Sequence, residues 1–75
     1  MIDKTIVNVA RALIGSRLRD LRKKKGLTQP QVSELIGVSV NTICKVENGK
    51  FDFGVDILNK LAHVYEVEVK IEQKA

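Results

Sequence analysis

Apolar positions recur at two different periods along the 75 residues of this chain, and the change of period divides it into elements. Ala10, Leu13, Ile14, Leu18 and Leu21 follow one another at spacings of three and four, which predicts a helix with one buried face. Gly26 stops it after a cationic last turn. Residues 4–9 are ambiguous: their β-branched content suits a strand, whereas Ile6 continues the helical stripe behind Asp3, a possible cap. Helix is preferred there.

Thr28 and Gln31 have the spacing of a capping box, and Pro30 falls in a first turn where a missing N–H costs little. They start a second helix that runs to about Ile36. Gly37 is placed to end it in a left-handed conformation, Val38 to enter the core, and Ser39 to cap a third helix over Val40–Glu47. Asn48-Gly49 closes the third helix. A fourth starts at Asp52 or Gly54, with Val55, Leu58, Leu61 and Ala62 on its inner face and His63 as an ordinary surface or half-buried side chain. In the tail, Tyr65, Val67, Val69 and Ile71 alternate with Glu66, Glu68, Lys70 and Glu72. That is the pattern of a one-sided strand over 65–73. A lone strand leaves its N–H and C=O groups unpaired, so its partner is either the ambiguous N-terminal segment or the same segment of a second chain, and the second chain is preferred.

Composition narrows the class. One domain covers 1–75, and so short a chain buries only about 60% of its unfolded surface, so a second subunit would add useful core. The single cysteine, Cys44, cannot form an intramolecular disulfide, and with only His63 beside it in the inventory a metal site is not expected. No bilayer-length apolar run or signal-peptide pattern is present, so the expected compartment is the cytoplasm, alongside the nucleoid. No carboxylate pair, activated nucleophile or phosphate-cradling loop suggests an enzyme, and no cofactor is expected. Charge is asymmetric. Residues 1–50 carry 10 Lys/Arg against 4 Asp/Glu, while residues 51–75 carry 3 against 5. Arg17, Arg19, Arg22, Lys23, Lys24 and Lys25 cluster with only Asp20 opposing them, which suits a polyanion but is equally the composition of a solvated helix face.

Several motifs at fixed offsets then coincide. They are Arg-Leu-Arg-Asp-Leu-Arg before Gly26-Leu27-Thr28-Gln29, then Ile36-Gly37-Val38-Ser39, Thr42-Ile43, Val46-Glu47-Asn48-Gly49-Lys50, and the Leu58, Leu61, Ala62 pattern. From Ile14 to Val67 the chain resembles the DNA-binding domain of the Cro/λ-repressor (XRE) family. The fold this implies is mainly α: a λ-repressor-like bundle of four to five short helices with a helix-turn-helix at 28–48, here followed by the C-terminal strand. The inner positions Val32, Ile36, Val38, Ile43 and Val46, with small Ser33 between the helices, are all suitably filled.

The resemblance implies a dimeric transcriptional repressor that places helix 40–47 in the major groove of a palindromic operator. Val40, Asn41, Cys44 and Lys45 take the base-reading positions, and Asn41 and Lys45 suit adenine and guanine edges respectively. Thr28, Gln29, Ser39, Thr42, Asn48 and Lys50 take the backbone-contacting positions. Arg22 and Glu47 match an internal ion pair, a scaffolding role preferred for Arg22 over contact with DNA. Tyr65, Val67, Val69 and Ile71 are the expected dimerisation residues. The compact unit followed directly by a strand also resembles HipB-type antitoxins, so the alternative is an antitoxin that binds both its operon and a toxin protein. Cys44 is read as a tolerated small side chain in preference to a redox switch. The chain departs from the common family form at Glu66, where glycine is usual, at Gly54, where a capping serine is frequent, and at Phe51, Asp52 and Phe53. The two phenylalanines either pack beneath their loop, the preferred reading, or form an exposed apolar patch that meets a partner.

Overall fold

The structure is a computed structural model, described here over residues 3–50 and 54–70. Among these residues the chain forms four helices: α1 (Lys4–Lys24), α2 (Gln29–Ile36), α3 (Val40–Glu47) and α4 (Val55–Tyr65). The ambiguous segment 4–9 is helical. Asp3 caps it by accepting from the Thr5 N–H at 2.8 Å, so α1 is one element of 21 residues. Thr28 and Gln31 form the reciprocal capping box that starts α2, at 3.2 and 2.8 Å. Gly37 ends the helix at φ 75°, where its own N–H and that of Val38 both reach the Ser33 carbonyl. These two devices fix the bend between α2 and α3, because each satisfies backbone groups that a helix end would otherwise leave open.

The core consists of Leu18, Val32, Ile36, Ile43, Val46, Leu61, Ala62 and Tyr65, each less than one-tenth exposed. Leu21, Leu27, Val38, Ile57, Leu58 and Val64 pack around its edge. Ser33 is buried where α2 meets α3, and its hydroxyl donates to the Pro30 carbonyl at 2.8 Å. α1 buries three residues, Gly15, Leu18 and Arg22. A Cβ on Gly15 would overlap the Val46 carbonyl oxygen and lie 2.7 Å from that of Glu47. The missing side chain therefore sets how closely α1 crosses the end of α3.

Three sequence expectations need correction. First, the apolar stripe of α1 is not a core face along its whole length: Ala10 and Leu13 are exposed and Ile14 is 40% exposed. The core is too small to reach them. Second, Val55 is 70% exposed, whereas Leu61 and Ala62 carry the inner face of α4. Third, no strand forms among the described residues of 65–73. Tyr65 is the last residue of α4 and only 2% exposed, because Leu58, Leu61, Ala62 and Tyr65 continue the helical spacing and the ring completes the core. Tyr65 is therefore part of this chain's own core. Glu66 turns the chain at φ 57°, and Val67 and Val69 follow without regular structure, 38% and 49% exposed. Among the described residues, 67–70 have no second strand to pair with. Ile71, the two phenylalanines and Asp52 lie outside the described residues, so Gly54, which offers no side-chain cap, is the observed N-cap of α4.

Tyr65 has a measurable consequence. Its hydroxyl is buried without a hydrogen-bond partner among the described residues, and its pKa is pushed up to about 12, first by burial, then by the charge of Glu47, with Arg22 opposing. The unfolded-state value lies near 10. The folded state thus favours the neutral phenol, and stability present below about pH 10 is lost as pH rises towards 12. Tyr65 is the chain's one tyrosine, so ultraviolet titration reads it alone. Denaturant melts should weaken across that window, and Tyr65→Phe should remove this part of the slope while costing little at neutral pH.

Candidate nucleic-acid interface

α3 divides its residues between two environments. Ile43 and Val46 are each 1% exposed and anchor the helix in the core. Val40, Asn41, Cys44 and Lys45, at i, i+1, i+4 and i+5, share another side. Asn41 and Lys45 are exposed, Val40 is 41% exposed and Cys44 is half-buried. This side therefore offers an amide, a cation, an apolar tip and a thiol at the spacing of successive helical turns. Asn48, one turn after Cys44, donates to its sulfur at 3.4 Å, which ties the end of α3 to the same side.

The polar residues around this face fall into two groups. Thr28, Ser39 and Thr42 serve the backbone: Thr28 Oγ1 caps α2, and Ser39 Oγ accepts from the Thr42 N–H at 3.1 Å and bonds the Thr42 hydroxyl at 2.9 Å. Gln29, Asn48 and Lys50 instead stand at helix ends, Gln29 at the start of α2 and the other two at the end of α3. The N-terminus of α2 adds the helix dipole and an open backbone donor, a ready environment for an anion.

A buried network sets the relation between the two ends. Arg22 Nε donates to Glu47 Oε2 at 2.6 Å and Nη2 to Oε1 at 3.0 Å, while Nη1 reaches the Leu27 carbonyl at 2.9 Å. Arg22 and Glu47 are 8% and 5% exposed. The hydrogen bond from the guanidinium to Glu47 outweighs burial and holds the Arg22 pKa above its ordinary value. Gln29 Nε2 donates to the same Oε1 at 3.0 Å. One carboxylate thus joins α1, the start of α2 and the end of α3. Sequence reasoning missed the Gln29 link, since nothing local connects residues 18 positions apart. It also missed Gly15, for which a glycine inside a helical segment was the available signal. Arg17, Arg19, Lys23, Lys24 and the C-cap Lys25 are all exposed, so with Arg22 withdrawn into the network these five form the cationic C-terminal end of α1. No group of residues able to hold a metal ion occurs among the described residues, and no helix among them is long and apolar enough to cross a membrane.

Comparison with known proteins agrees with this arrangement. The helix-turn-helix family profile matches residues 18–71. An uncharacterised HTH-type transcriptional regulator of Archaeoglobus fulgidus is 31% identical over 55 residues, 73% of this chain and 79% of that protein. Antitoxin PezA of Streptococcus pneumoniae is 27% identical over 55 residues, 73% of this chain but only 35% of its own length. Among solved structures, the restriction-modification controller protein C.AhdI from Aeromonas hydrophila superposes with a TM-score of 0.76 at 32% identity, covering 80% of this chain and 91% of that one. The chain accordingly belongs to the helix-turn-helix family of DNA-binding transcriptional regulators and is not an enzyme.

Proposed function

We propose that this regulator binds duplex DNA as a homodimer and represses transcription by occupying a promoter, with α3 in the major groove and two copies on half-sites about 34–36 Å apart. The observation that carries this reading is the exposure of Asn41 and Lys45 on the side of α3 that the buried Ile43 and Val46 leave open. Asn41 has the donor and acceptor to pair with adenine, Lys45 reaches guanine O6 and N7, and Val40 meets a thymine methyl group, with Cys44 between them. Gln29, held by Glu47, presents its remaining amide hydrogen to a phosphate beside the N-terminus of α2. Thr28, Ser39, Thr42, Asn48 and Lys50 complete the backbone contacts.

Titrating duplex DNA recovered by selection from a random pool, over a range of salt concentrations, tests the electrostatic half. A dimer that neutralises about 6 phosphates loses about 10³ in affinity between 50 and 200 mM salt. A flat salt profile excludes the proposed contact. Gln29→Ala is expected to weaken selected and random duplexes alike, because a phosphate contact carries no sequence information. A loss confined to the selected duplex would place Gln29 among the base readers.

A second reading, an antitoxin that also binds a toxin protein, is supported by the likeness to PezA. The C-terminal strand that first suggested it is absent among the described residues. Co-purification with the product of a neighbouring gene would favour it.

A further inference from the structure

The outward side of the N-terminal half of α1 serves neither the core nor the DNA face. Ile6, Val9 and Leu13 are 63%, 54% and 66% exposed, and Ile14 is 40% exposed. Their spacing of three and four residues makes them one stripe. Residues 5–16 contain a single charge, Arg11. Arg11 is half-buried and shares the row of Gly15, Leu18 and Arg22 on the inner side. A solvated helix face would carry charges, and a DNA-binding one would carry cations. Ile14 also lines a groove whose far wall includes Val67 and Val69, so the apolar surface continues across it.

We propose that a second copy of this chain covers the stripe, α1 packing antiparallel on α1 about a two-fold axis between Val9 and Ala10. A two-fold contact requires a surface that complements itself. In this register Ile6 lies opposite Leu13 of the second copy, Leu13 opposite its Ile6, and small Ala10 lets the helices approach at the axis. Charge selects the direction. Parallel packing would bring Arg17, Arg19, Lys23, Lys24 and Lys25 of both copies together, whereas antiparallel packing sets Asp3 beside the second copy's Arg17 and leaves the basic turns at opposite ends for DNA. Residues 4–16 span only about 20 Å, too short to reach the roughly 800 Å² per partner of a standard interface. The free dimer is therefore weak, and a duplex with two half-sites strengthens it by tethering both copies. That coupling to DNA rests on the function proposed above; the contact between copies does not.

Sedimentation equilibrium of the full chain without DNA, from micromolar to millimolar concentration, tests the pairing. The wild type should rise towards the dimer mass. Leu13→Glu should remain monomeric over the same range with an unchanged circular-dichroism melt, since the position is largely exposed. Should that variant unfold, Val9→Glu, which sets like charges beside the axis, serves in its place. The double variant Ile6→Lys, Leu13→Glu should self-associate at least about tenfold more tightly than Leu13→Glu alone, because each introduced lysine meets the other copy's introduced glutamate. A monomeric wild type, a Leu13→Glu chain that dimerises like the wild type, or a double variant no tighter than the single one overturns the pairing. On a selected duplex trimmed to one half-site, Leu13→Glu should bind within about twofold of the wild type, and a lost half-site affinity also overturns it. A wild type that self-associates yet binds no duplex defeats the DNA reading and leaves the pairing intact.

Discussion

Glu47→Ala is expected to lower stability by about 3–5 kcal/mol, the cost of leaving one member of a buried ion pair behind. Glu47 accepts both hydrogen bonds of the Arg22 fork and one from Gln29. Without it the Arg22 guanidinium keeps only its bond to the Leu27 carbonyl in a site 8% exposed. Globular domains are stable by only about 5–15 kcal/mol, so a chain of 75 residues would lose much of its margin. Denaturant titration reads the effect. Replacing the pair together, Arg22→Met with Glu47→Leu, should recover much of the loss, since apolar residues of similar volume need no partner charge. A loss below about 1 kcal/mol for Glu47→Ala would mean that the pair is hydrated and contributes as a surface ion pair does.

Gly15→Ala is expected to destabilise by about 3 kcal/mol or more, at or beyond the upper end for an overpacked core. The sign makes the test sharp. In an open helix the same change gains about 1 kcal/mol through propensity, but here the new Cβ meets the backbone carbonyls of Val46 and Glu47, which cannot rotate away. To make room, α1 must lift from the end of α3, straining the Arg22–Glu47 pair as well. Thermal melts of wild type and variant at equal concentration decide the matter. A variant as stable as the wild type would show that the crossing can open without cost.

What was legible in the sequence was local. The capping box of Thr28 and Gln31, the left-handed Gly37 and the cap at Ser39 each act within a few residues, and the buried spacing of Val32, Ile36, Ile43 and Val46 follows from helical geometry once those ends are set. Tyr65 was misassigned because it belongs to two patterns at once: it is the last member of the Leu58, Leu61, Ala62 series and the first of an alternating one. Only packing of its ring against the core decides between them. The exposed half of α1 was misread for a related reason. Periodicity marks which residues share a side, but not whether anything in the same chain is large enough to cover it. Gly15 and the Gln29–Glu47 bond depend on where helices cross, information that no window of sequence contains.

Paired affinities of the wild type, Asn41→Ala and Lys45→Ala, on the selected duplex and on a scrambled one of equal length and at equal salt, test most directly whether the open side of α3 reads bases. Each variant should lose about 1–3 kcal/mol on the selected duplex and relax sequence preference at one position, with a smaller change on the scrambled duplex. Equal losses on both duplexes would contradict base reading by α3 and leave Asn41 and Lys45 as sequence-independent contacts.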